Sequence, residues 1–170
     1  MNFFRSSVDG KVPKTGILFV CMGNICRSPT AEGVFRVLAT RAGLISRVHV
    51  DSAATHDYYT GGPPDWRATV AARNRGYDIA SLRARQFEVA DFARFDRIYA
   101  MDRMNLELIS SLRPVDHRGE LGLFLELAPE LGVSEVPDPY CGGLAGFERV
   151  LDLVEHASKA LVQRIARESA

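Results

Sequence analysis

Cysteine is scarce in this chain: Cys21, Cys26 and Cys141 are its only three. A sparse, odd-numbered set excludes the disulfide framework of a small secreted domain and fits a reducing compartment, so a cytoplasmic protein is expected. Lysine is equally scarce, with Lys11, Lys14 and Lys159 alone among 21 basic residues, and 21 acidic residues bring the formal net charge to zero. Without surplus positive charge there is no general affinity for a phosphate backbone, and a nucleic-acid partner is not expected. Long apolar runs are missing as well. None approaches the ~20 residues that span a bilayer, so no membrane segment is expected. The opening stretch MNFFRSSVDGKVPKTG lacks an apolar run followed by a small-residue cleavage site. It therefore predicts no export signal, and a mobile arm over residues 1–14. The histidines His49, His56, His117 and His156 are scattered, with no i, i+4 pair and no carboxylate cluster beside them, so neither metal nor other cofactor is expected.

What is present is an alternation of short apolar runs with longer periodic ones. This is the pattern of an α/β fold, a parallel sheet covered by helices on both faces, and at this length it predicts a single domain over residues 15–170. GILFVC (16–21) is continuously apolar and predicts a central buried strand. From Pro29, Ala31, Val34, Phe35, Leu38 and Ala39 recur at helical spacing, with Ser28 placed to cap and Pro29 tolerated in the first turn. VHVDSA (48–53) and FDRIYAM (95–101) predict two further strands, and the start of GELGLFLEL a fourth. DWRATVAARNRGY predicts a capped helix closed by Gly76, and DRMNLELISSL one stopped by Pro114. Phe147, Val150, Leu151, Val154, Leu161 and Ile165 share one stripe of a long C-terminal helix.

Between the first strand and the first helix stands CMGNICRS, residues 21–28. A turn that leads into a helix N-terminus gathers backbone N–H groups around an anion. An ordinary thiol with a pKa near ~8.5 is mostly protonated at neutral pH, but a helix N-terminus and a guanidinium bring it down to ~3.5–7.5, which would make Cys21 a standing thiolate. Arg27, separated from Cys21 by five residues, offers a planar fork that matches two phosphoryl oxygens. The loop N–H groups of Met22, Gly23, Asn24, Ile25 and Cys26 would bind the remaining oxygens, and Gly23 and Asn24 tolerate the left-handed geometry that turns such groups inward. Ser28 can donate its hydroxyl to the thiolate and make it a better leaving group. Against this stands the plainer reading in which Cys21 only ends a buried strand. The loop is not a Walker loop, since G-x4-G-K-[ST] is nowhere in the chain.

A phosphoenzyme on Cys21 must expel an alkoxide or phenoxide, and a carboxylic acid should protonate it. In EVPDPYCGG, Asp138 sits between two prolines that stiffen its loop. An Asp-Pro turn starter is the plainer reading.

Taken together, FVCMGNICRSPTAEGVFR, DSAATHDYYTGGPPDWR, ARQF, FDRIYAMDRMNL and VPDPYCGGLAGFERVLDLVE resemble the low-molecular-weight protein tyrosine phosphatase family, in order from about Thr15 to the C-terminal helix. The resemblance implies a four-stranded parallel sheet, an oxyanion loop between the first strand and the first helix, and hydrolysis of phosphotyrosine through a cysteinyl-phosphate without metal. Position by position it makes Cys21 the nucleophile, Arg27 the phosphate clamp and Asp138 the acid and then the base. It makes Tyr58, Tyr59 and Tyr140 the aromatic rim, and Ser52 the hydroxyl that holds Asn24. It also implies phosphotyrosine-containing protein partners, among bacteria a tyrosine autokinase, with the chain a monomer or weak dimer, and a disulfide between Cys21 and Cys26 under peroxide. For Cys26 the plainer alternative is a small packing residue.

Three positions depart from the family pattern: Cys141 follows Asp-Pro-Tyr where a second tyrosine is common, Leu82 stands where many members carry a histidine bonded to the loop asparagine, and Ala54 replaces a glycine. An arsenate reductase would need further cysteines between Cys26 and Cys141, and there are none. A protein-arginine phosphatase tends to hold threonine where Ile25 stands. A non-catalytic phosphoprotein-binding module would have no need of Asp138.

Overall fold

The computed structural model describes residues 14–169; the arm expected over residues 1–14 lies, but for Lys14, outside them. Four strands, β1 (Thr15–Cys21), β2 (Val48–Ala54), β3 (Arg97–Ala100) and β4 (Glu120–Leu123), form one sheet in the order β2-β1-β3-β4. Every neighbouring pair is parallel. The helices are α1 (Arg27–Arg41), α2 (Trp66–Asn74), the single turn α3 (Asp91–Arg94), α4 (Arg103–Ser111) and α5 (Leu144–Glu168).

The alternation of side chains along β1 builds two cores. Ile17 and Phe19 join Val34 and Phe35 of α1, Ala68 and Ala71 of α2 and the apolar stripe of α5. Leu18 and Val20 join Phe92 of α3 and Ile109 of α4 on the opposite face. Such burial on both faces is why the β1 sequence is apolar at every position instead of every second one. All six stripe residues expected on the C-terminal helix are buried. The fourth strand occupies only the first part of GELGLFLEL, after which Phe124–Leu127 turn as a 3₁₀ helix.

The cap expected at the start of α1 is corrected. The helix begins at Arg27, one residue before Ser28, and Cys26 stands at its N-cap without a side-chain cap bond. The Ser28 hydroxyl is engaged elsewhere, as described below. The first two turns of α1 are buried all round, Arg27, Ser28, Pro29, Thr30 and Glu32 included, because the helix starts inside the protein instead of at its surface.

The strand order sets the location of the site. The chain passes from β1 outward to β2 and then returns across β1 to β3, so the loops after β1 and β3 leave in opposite directions. A crevice opens at such a reversal, beyond the carboxyl ends of the strands. Cys21 ends β1 at that edge, and Ala100 ends β3 beside it in register with Val20.

Candidate active site

Residues 21–28 wrap the start of α1. The Cys21 Sγ lies 3.0 Å from the Ser28 Oγ, and both side chains are buried. The N–H groups of Gly23, Asn24 and Ile25 find no acceptor among the described residues, which leaves them available to an anion. Asn24 is the one described non-glycine residue with positive φ, at 55°. Its amide nitrogen donates to Ser28 Oγ and to Ser52 Oγ, each at 2.9 Å. Its carbonyl oxygen accepts from the backbone N–H of Arg85 at 3.0 Å.

That last bond answers the Leu82 departure. Leu82 packs against the core, and the acceptor side of Asn24 is satisfied by main chain instead of a histidine. Arg85 is carried there because residues 85–87 pair with the end of β2: Ala54 N–H donates to Arg85 O and Phe87 N–H to Ala54 O, both at 2.8 Å. Gly23 is corrected in its reason. It lacks positive φ; a Cβ there would lie 2.9 Å from the Tyr59 ring, so glycine is required by close approach of the rim tyrosine.

Arg27 is buried, and its Nη1 is committed to protein acceptors, Asp102 Oδ2 at 2.6 Å and Val136 O at 3.1 Å. Its Nη2 has only a long contact of 3.4 Å to Asp138 Oδ2. Burial alone disfavours the guanidinium charge, but Cys21, Asp102 and Asp138 outweigh it and hold Arg27 protonated beyond its ordinary range. Asp102 therefore fixes the fork from behind, and it caps α4 with its other oxygen, which accepts from Asn105 N–H at 2.7 Å. Sequence reading did not single it out. An aspartate immediately beyond a parallel strand, at the sheet's carboxyl edge, was the available signal.

Asp138 stands on the segment that precedes α5 and passes the end of β3, where Val136 N–H bonds Met101 O at 2.8 Å. Its Oδ1 accepts from the Tyr140 N–H at 3.1 Å, and its side chain is 41% exposed, so the carboxyl is oriented yet open to the crevice. Cys21, Arg27 and Asp138 line one cavity of about 200 Å³ together with Met22, Gly23, Ile25 and Cys26 of the loop and with Tyr58, Tyr59 and Tyr140. Its floor is buried and its rim is not: Tyr58 and Tyr140 are exposed. The Tyr59 and Tyr140 rings lie 6.3 Å apart, and Tyr58 stacks on His56 at 5.0 Å. Burial first, then the charge of Asp65, pushes the Cys26 thiol up to about 12. Cys26 is thus a thiol at neutral pH and a poor nucleophile.

A larger, shallower depression of about 540 Å³ is lined by His49, Asp51, Arg85 and Arg94. Its two arginines are already paired, Arg85 with Asp51 and Asp91, and Arg94 with Glu88 and Asp91. No cysteine lines it. Another residue that sequence reading missed is Glu32, a buried carboxylate on α1 that accepts the Ser52 hydroxyl at 2.6 Å. Burial raises its pKa, an effect opposed in part by Ser52 and Arg36.

Comparison with known proteins agrees with this geometry. Residues 16–170 match the family model described as low molecular weight phosphotyrosine protein phosphatase. The chain is 44% identical over 133 residues to the low molecular weight phosphotyrosine protein phosphatase of Schizosaccharomyces pombe, covering 77% of this chain and 84% of the relative. It is 37% identical over 150 residues to that of Homo sapiens, covering 87% and 94%. A solved protein tyrosine phosphatase from Entamoeba histolytica superposes with a TM-score of 0.87 at 34% identity, over 92% of this chain and 100% of that one.

Proposed function

The chain belongs to the low molecular weight phosphotyrosine protein phosphatase family, and from that premise we propose that it hydrolyses phosphotyrosine in proteins through a phosphoenzyme on Cys21. The observation that carries this reading is the convergence of Cys21, Arg27 and Asp138 on one aromatic-rimmed cavity.

The Arg27 fork and the loop N–H groups hold the phosphoryl oxygens, neutralising charge that develops in transfer. The Cys21 sulfur attacks phosphorus on the side opposite the phenolic oxygen. As the S–P bond forms and the P–O bond breaks, Asp138 in its acid form gives its proton to the departing oxygen. Asp138, now a carboxylate, takes a proton from water, whose oxygen attacks phosphorus. The S–P bond breaks, inorganic phosphate leaves, and the electron pair returns to sulfur. Ser28 stabilises the sulfur as it departs by donating its hydroxyl.

The rim supports preference for an aryl ester: Tyr58 and Tyr140 offer flat faces to a phenyl ring, and a phosphoserine is too short to carry its phosphorus from rim to floor. Its partners are phosphotyrosine-bearing proteins, with an autophosphorylating tyrosine kinase as one class to test, and a reducing compartment suits its thiol. Among the described residues no helix is long and apolar enough to cross a membrane. The test is turnover of phosphotyrosine, phosphoserine and phosphoarginine peptides by the unsubstituted protein and by Asp138→Ala. The reading expects phosphotyrosine to be preferred and kcat/KM to fall roughly 10²–10⁴-fold in the variant, the usual worth of a positioned acid. Preference for phosphoarginine would move the chain to the other substrate class.

A further inference from the structure

Arg67, in the first turn of α2, touches both halves of the site without lining the cavity. Its guanidinium is held by Asp65 through two contacts, Nε to Oδ1 at 3.0 Å and Nη2 to Oδ2 at 2.8 Å. Its Nη1 donates to the Gly142 carbonyl at 3.2 Å. The same guanidinium carbon lies 5.6 Å from the centroid of the Tyr140 ring and 4.6 Å from that of Phe147, which is buried on α5. The Asp65 backbone N–H in turn donates to Ile25 O, inside the oxyanion loop, at 2.8 Å. A continuous path therefore runs from the loop that holds the nucleophile, through Asp65 and Arg67, to the segment that holds Asp138.

We infer that Arg67 is a positioning residue for the general acid: anchored to the oxyanion loop through Asp65, it clamps the 138–142 segment and fixes the distance at which Asp138 meets the leaving oxygen. The inference rests on the phosphatase reading above. Two features make the clamp specific to arginine. The planar fork serves Asp65 along one edge while Nη1 reaches Gly142, all with the guanidinium carbon over two aromatic rings; a lysine ammonium has no such fork and cannot hold Asp65 on two atoms and Gly142 at once. The Asp65 carboxyl is held below its ordinary range, chiefly by its hydrogen bond from Arg67, so the anchor is charged throughout the neutral range. The other ties of the acid segment lie at its start, where Val136 N–H bonds Met101 O and Val136 O accepts from Arg27, at Asp138 itself through the long contact to Arg27, and within the segment, where Tyr140 N–H bonds Asp138 and Gly142 N–H bonds Pro139 O. Among the described residues Arg67 alone joins its far end, at Gly142, to another element by a side-chain hydrogen bond. Beyond Tyr140, Gly142 and Gly143 give the backbone freedom that a clamp would have to remove.

A partly exposed ion pair contributes little to stability, so a purely structural Arg67 would change little in catalysis. The test compares kcat/KM for phenyl phosphate, whose leaving group needs a proton, with 4-nitrophenyl phosphate, whose leaving group needs it less. In Arg67→Met, which keeps an unbranched apolar stem but no guanidinium, the phenyl phosphate value should fall about 10-fold and the 4-nitrophenyl value less than about 3-fold, the scale of a modest misplacement of a catalytic group. Arg67→Lys should show the same selective loss, and serves should the methionine variant fail to fold. In an Asp138→Ala background, substitution of Arg67 should add almost nothing. Equal losses for both esters, or a full additional loss on top of Asp138→Ala, would overturn the inference while leaving the phosphatase reading intact. Absence of aryl phosphate turnover in the unsubstituted protein would overturn that reading, and this inference with it.

Discussion

Ser28 Oγ stands 3.0 Å from Cys21 Sγ and also accepts a hydrogen bond from the Asn24 amide at 2.9 Å. The Ser28 hydroxyl hydrogen has two acceptors within reach, the sulfur at 3.0 Å and the Ala53 carbonyl at 3.4 Å, and turned toward sulfur it stabilises sulfur as a leaving group.

Ser28→Ala should therefore act on breakdown of the phosphoenzyme. Loss of one charge-stabilising donor costs about 10²-fold, so kcat should drop by that order while formation of the intermediate slows less. Rapid-mixing kinetics with 4-nitrophenyl phosphate should show a larger burst than in the unsubstituted protein. A variant with no burst and an unchanged kcat would remove Ser28 from the mechanism.

Asp102 holds Arg27, the proposed phosphate clamp, from behind, 2.6 Å from its Nη1. Asp102→Asn keeps the shape and an oxygen for the Asn105 N–H but deprives a buried guanidinium of its counter-charge. Breaking a buried pair costs about 3–5 kcal/mol at full burial, and less here since Asp102 is one-quarter exposed. Expected outcomes are a clearly lowered melting temperature, a raised KM for aryl phosphates and weaker competitive inhibition by inorganic phosphate. Unchanged phosphate inhibition would mean that Arg27 needs no such support.

The place of the proposed oxyanion loop was legible in the sequence because its elements are local: cysteine, turn residues and guanidinium lie within eight positions, between a strand and a helix that their own periodicity defines. Asp138 was legible through its flanking prolines. The supports were not, for physical reasons. Asp102 acts on Arg27 from 75 positions away, and Arg85 contributes a backbone N–H that any residue could supply. Glu32 sits on a helix where its i, i+4 partner Arg36 makes it look like an ordinary surface pair. Serine before proline is a common helix start, which gives Ser28 the look of a cap in the sequence. Burial of the first turn beneath Cys21 turned that hydroxyl to another use.

Glu32 yields a prediction about pH. Burial raises its folded pKa above the ordinary 4.5, so between 4.5 and the raised value the folded protein binds more protons than the unfolded chain. Stability attributable to Glu32 is then greatest at low pH and declines as pH rises through that window. Glu32→Gln retains an acceptor for Ser52 and removes the titration. The difference in unfolding free energy between the two proteins, measured by urea melts from pH 4.5 to 7, should shift steadily in favour of the variant. A difference independent of pH would show that Glu32 does not titrate there.

The central claim is that the Cys21 sulfur carries the phosphoryl group between substrate and water. Acid quench of the protein during turnover of an aryl phosphate, followed by peptide mass spectrometry, tests it directly, ideally with Ser28→Ala to prolong the intermediate. The account predicts a phosphoryl adduct on Cys21, and none in Cys21→Ser, which should be folded and inactive. Turnover by Cys21→Ser at a rate near that of the unsubstituted protein, or an adduct on another residue, would contradict it.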